Sequence, residues 1–62
     1  MKGKLHLVGP DGAVDLRAKV VKHKTRFSWH GKLKNYQGWH GQLVIDDDKF
    51  DVVVHGDYLD IS

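Results

Sequence analysis

Five histidines in 62 residues are the side chains best suited to chemistry near neutral pH. Three neutral imidazoles converging on one Zn²⁺ leave a fourth position for a water that the ion turns into a nucleophile. His30, His40 and His55 all lie in stretches where apolar and polar residues alternate. A two-residue loop at Asp47-Asp48 would set His40 opposite His55, and a hairpin between Trp29 and Trp39 would bring His30 beside His40. With neighbouring strands about 4.8 Å apart, the three rings would form a row on one outer face. The ligand spacing matches no known metal motif, however, and no carboxylate is clearly placed to orient the rings. The expectation is therefore no metal and no cofactor, with His30, His40 and His55 as the only residues from which a metal row would be built.

Other reactive constellations are absent. Asp46-Asp47-Asp48 lacks the mid-loop glycine and closing Glu of a calcium loop, and reads as a hairpin turn. Gly9-Pro10-Asp11-Gly12 is a turn tetrad with no helix after it to receive a phosphate. Ser28 and Ser62, the only serines, sit in no nucleophile context, and no carboxylate pair flanks a predicted cleft. A small barrel without large loops rarely encloses a water-excluding pocket. The chain is expected not to be an enzyme.

Charge offers a stronger signal. Residues 1–36 hold nine Lys or Arg against two Asp, whereas residues 37–62 hold one Lys against six Asp, so a net +2 conceals halves of +7 and −5. Arg17, Lys19, Lys22, Lys24, Arg26, Lys32 and Lys34 are the candidate phosphate contacts, with His30 and Tyr36 as candidates for sugar or base. Cations near aromatic rings on a small barrel are the footprint of nucleic-acid binding. Lys and Arg on outer strand faces also serve simply to keep edges from aggregating. The competing reading is a protein-interaction module, an accessory or inhibitory protein docking by charge complementarity. The valines expected on the outer face, Val21, Val44 and Val53, suit it. A compact chain without catalytic apparatus fits a phage- or mobile-element-encoded factor, and homodimerisation through an exposed edge strand would suit either reading.

Strands must position all of these groups. Every one of the eight acidic residues is Asp, alanine occurs only at Ala13 and Ala18, and Val, Ile and Thr together number eleven. Short acidic and β-branched side chains disfavour helix and suit pleated surfaces. Period-two alternation runs through Leu5-Leu7, Val14-Leu16-Ala18-Val20, Phe27-Trp29, Trp39-Gly41-Leu43-Ile45 and Phe50-Val52-Val54. A Pro10-Asp11 turn sets Leu7 against Val14 and Leu5 against Leu16. A His23-Lys24 loop sets Val20 against Phe27, and an Asp47-Asp48 loop sets Leu43 against Val52. All three loops agree on one apolar face.

The expected fold is all-β: a five-stranded antiparallel meander over residues 1–62, curled into one small SH3-like barrel. Tyr58 to Ile61 would add a short sixth strand, similar to the way SH3-type barrels close, and Gly31, Gly41 and Gly56 are inward positions where strands would bend. The sequence carries no disulfide and no bilayer-spanning or signal-like run, so the cytoplasm is the expected location and no membrane partner is expected.

Overall fold

The computed structural model describes all residues, 1–62, and it realises the alternation as six antiparallel strands closed into a barrel. The strands are β1 (Lys2–Gly9), β2 (Gly12–Lys22), β3 (Arg26–Trp29), β4 (His40–Ile45), β5 (Asp48–His55) and β6 (Tyr58–Ile61). A single 3-10 turn, Lys34–Tyr36, lies between β3 and β4. The sixth strand is formed, so the short segment at Tyr58 completes the wall.

Strand order around the barrel is β1-β2-β3-β6-β5-β4. The meander is thus interrupted once, between β3 and β4, and consists of two three-stranded halves. They join along two seams, β1 with β4 and β3 with β6. Trp29 and Trp39 consequently do not flank one hairpin. Trp29 ends β3 inside the core, whereas Trp39 precedes β4 and lays its indole over Gly9 at the far end of β1. The connection between them is pinned by Gln37, whose side-chain amide donates to the Gly56 carbonyl (2.9 Å) and accepts from the Gly56 N–H (2.7 Å). Leu33 from the same connection is buried and plugs the core.

Eleven apolar side chains form that core, with Leu5, Leu7, Leu43, Val52, Val54 and Leu59 drawn from the alternation of four strands. Near one end of the barrel the Phe27 and Phe50 rings meet with centroids 5.0 Å apart, and the Lys22 ammonium sits 5.4 Å above the Phe50 ring. Lys22 has the same parity as Val14, Leu16, Ala18 and Val20, so it closes this end of the barrel and does not join the outer basic face.

The β1–β2 register matches the expectation, with Leu7 opposite Val14 and Leu5 opposite Leu16. The other two hairpins are displaced by two residues. Val20 stands opposite Trp29 and Lys22 opposite Phe27, across the longer turn His23–Thr25. The second tight turn is Asp46-Asp47, with Leu43 opposite Phe50 and Gly41 opposite Val52. A two-residue displacement keeps every side chain on its expected face, so facial patterning alone cannot detect it. Asp46 resolves it by adopting a left-handed backbone (φ 54°), a conformation Asp tolerates better than most residues.

Gly41 earns its place at the β1–β4 seam. A Cβ there would overlap the His6 carbonyl oxygen and press on the Leu7 backbone. Gly56 does not bend a strand inward as expected; it occupies the β5–β6 turn with φ 63°.

Candidate nucleic-acid interface

Outward residues of β1 are Lys2, Lys4, His6 and Val8, and pairing with β2 sets each against a defined neighbour. Lys2 faces Lys19, Lys4 faces Arg17, and His6 faces Asp15. Two successive rungs therefore carry cation against cation. On the third rung His6 Nδ1 donates to Asp15 Oδ1 at 2.6 Å, which ends the purely cationic run. On the other flank Lys4 faces Val44, which in turn faces Lys49. Lys4, Arg17, His6, Asp15, Gln42 and Val44 rim a shallow recess of about 300 Å³ on this surface. None of Lys2, Lys4, Arg17, Lys19 or Lys49 makes an ion pair within the molecule.

The candidates named from the sequence are scattered differently. Arg17 and Lys19 lie together on β2, but Arg26 does not stand beside them. It faces Asp60 on β6, with Nε 3.4 Å from Oδ1, and its guanidinium stacks 4.7 Å above the Tyr58 ring. Asp60 Oδ1 is sealed from solvent without a well-formed hydrogen bond, so the Arg26 charge is its compensation. Replacing Arg26 with Ala is expected to cost about 1 kcal/mol through the lost pair and the lost ring contact. The same change should leave oligonucleotide affinity within about twofold, because the guanidinium is engaged by Asp60 and Tyr58; a urea titration and an anisotropy titration read the two effects separately.

Lys22 is occupied over Phe50, as described. Lys24 is exposed in the β2–β3 turn, and Lys32 and Lys34 are exposed in the β3–β4 connection. His30 follows β3 and is tied there by its N–H, which donates to the Lys19 carbonyl at 2.9 Å. Tyr36 is not free: its ring packs edge-on against Trp39 at 5.1 Å and lies half-buried beside the core.

The histidine row does not form. The displaced β4–β5 register puts Val53, not His55, opposite His40, and β1 places Val8 on its other side. His55 instead faces Tyr58 and donates to Asp60 Oδ2 at 3.3 Å. No group of three His, Asp or Glu side chains is arranged to hold a metal ion. Ser28 does meet a histidine, contrary to expectation: its Oγ and His23 Nε2 share a 2.6 Å hydrogen bond. The pair is exposed, and no carboxylate bonds the other nitrogen of His23, so the orienting third member of a nucleophilic triad is missing.

Lys2, Lys4 and Lys49 lie outside the dense basic run from Lys22 to Arg26 and are not among the candidates named from the sequence. The signal was present for two of them, since the β1–β2 register legible in the sequence already places Lys4 across from Arg17 and Lys2 across from Lys19. The segregation of charge along the chain is also softened in space. Gly3 pairs with Ile45, which brings the Asp46-Asp47 turn and Asp48 to the Lys2 end of the cationic rungs. Comparison with protein-family models, with curated proteins and with solved structures gave no match to this chain.

Proposed function

We propose that the protein is a small non-catalytic module, acting in the cytoplasm, that binds the phosphate backbone of nucleic acid through the outer face of β1 and β2. One observation carries the reading: Lys2–Lys19 and Lys4–Arg17 are directly opposed like-charge pairs on consecutive rungs, with no internal acid bonded to any of the four. Such pairs each cost a few tenths of a kcal/mol up to about 1 kcal/mol of stability. A bound polyanion relieves that repulsion and releases its own counterions. The face carries no aromatic side chain for bases to stack on, so phosphate contact without sequence preference is the expected mode.

Anisotropy titrations of labelled single- and double-stranded oligonucleotides across a range of salt test this. Four neutralised phosphates give a log–log slope of about −3 to −4. Lys4→Gln should flatten that slope by roughly 1. It should also raise the unfolding free energy by a few tenths of a kcal/mol, because one repulsive rung is removed. Opposite signs for binding and stability are the signature; no binding to either oligonucleotide at low salt would end the proposal.

A second reading has its own observation. The outward rung Ala13–Val8–His40–Val53 is largely apolar on a surface that should be polar, and Val8 is exposed. That rung would be the docking face of a protein-interaction module if the oligonucleotides fail to bind. No helix in the protein is long and apolar enough to cross a membrane.

A further inference from the structure

Closure of the barrel leaves part of one strand without a neighbour. β2 is eleven residues long, and β3 pairs only with Val20, Val21 and Lys22 at its end. Successive residues of an antiparallel strand send their N–H and C=O groups to opposite sides. Val20 exchanges hydrogen bonds with Met1, so the even residues of β2 address β1. The odd ones address the β3 side, where Lys19 O receives the His30 N–H. Beyond that bond the backbone groups of Ala13, Asp15 and Arg17 face outward with no partner in the molecule. Val14, Leu16 and Ala18, which point inward from the same stretch, are only half-buried, whereas Leu5 and Leu7 opposite them are fully buried.

We propose that this edge of β2 pairs with the same edge of a second copy of the chain, giving a two-fold dimer in which Asp15 stands opposite Arg17 of the other copy. Each pairing register that uses the outward backbone groups places odd residues against odd residues. Centring the two-fold on Asp15 would oppose two carboxylates, and centring it on Arg17 would oppose two guanidinium groups and set Asp15 against Lys19, whose outer side His30 already occupies. Centring it on Leu16 opposes Asp15 with Arg17 twice over. The same register lays Leu16 on Leu16, covering part of the flank that the monomer leaves half-exposed. The charge pattern thus selects one register out of three, and that register forms about four backbone hydrogen bonds. Asp15 is free to take part, since its side chain is 85% exposed and His6 engages only Oδ1. A self-complementary strand edge is the simplest isologous interface.

This inference is independent of nucleic-acid binding and is tested without it. Sedimentation velocity from about 10 µM to 1 mM should show the wild type moving from monomer towards dimer mass. D15K and R17D, each alone, place like charges across the interface and should weaken association by about tenfold or more. The double variant D15K/R17D recreates opposed charges in the Leu16-centred register and should recover wild-type association. Two-dimensional NMR amide exchange on the wild type supplies a second readout: the N–H groups of Asp15 and Arg17 should gain protection with concentration, while that of Leu16, already bonded to β1, should not change. A wild type that stays monomeric at 1 mM overturns the proposal and leaves the edge to a strand from another protein. Failure of the folded double variant to recover association, with Asp15 and Arg17 amides unprotected, overturns it as well.

Discussion

Gly41→Ala is expected to abolish the cooperative fold. The added methyl would overlap the His6 carbonyl oxygen, which is backbone and not the yielding end of a side chain. Nor can the β1 backbone retreat, because Leu7 is paired with Val14 on its other flank. Overpacking of a close-fitting interior commonly costs about 1–3 kcal/mol, and a backbone overlap lies at or beyond the top of that range. A 62-residue domain has only about 3–9 kcal/mol in total, at about 0.05–0.15 per residue. Far-UV circular dichroism on heating should show no sigmoidal transition for this variant. Gly3→Ala, on the β1 side of the same seam, is the control. Its Cβ would meet only the Val20 and Leu43 side chains at 3.0–3.1 Å, so a reduced but cooperative melt is expected. A Gly41→Ala melting temperature within a few degrees of wild type would show that the seam is looser than described.

The second large effect lies inside the barrel. Phe27→Ala should lose about 3–5 kcal/mol, because the ring is wholly buried and its removal leaves a cavity against Phe50 and Leu59. Phe50 is only half-buried and relies on Phe27 beneath it and Lys22 above it, so the loss spreads through the stack. Phe27→Leu keeps most of the volume and should lose about 1–1.5 kcal/mol. Urea titrations of the pair give the difference directly. If Phe27→Ala unfolds at nearly the wild-type midpoint, the aromatic stack is not what holds this end of the barrel.

Much of this architecture was legible in the sequence because side-chain facing is a local property. Leu5 and Leu7 alternate with Lys4 and His6, and that alone fixes which of them lies inside. Pairing partners are not local. Registers two residues apart satisfy the same alternation, so Leu43 could be matched equally well with Val52 or Phe50 until the left-handed Asp46 chose between them. The strand order was hidden for the same reason: nothing in the alternation of β3 or β4 says that Arg26 meets Asp60 or that Lys4 meets Val44. The candidate interface inherited both limits. Arg17 and Lys19 were found from their parity, Lys2 and Lys4 needed only the β1–β2 register, the inward parity of Lys22 was equally legible, and only the pairing of Arg26 with Asp60 required a seam.

Those two seams also set the tempo at which the chain acquires its structure. Within each half, β1-β2-β3 and β4-β5-β6, strands pair across turns of two or three residues, which close on the microsecond scale. The β1–β4 and β3–β6 pairings join residues some 30 to 40 positions apart along the chain, and ordering so long a loop precedes any reward from the contacts it permits. Neither three-stranded half buries its apolar face alone. The seams therefore form the late, rate-limiting event, and folding belongs with the millisecond-to-second non-local β topologies despite the brevity of the chain. Until the seams close, one half exposes Leu5 and Leu7, and the other Leu43 and Val54, to any other chain in the same condition.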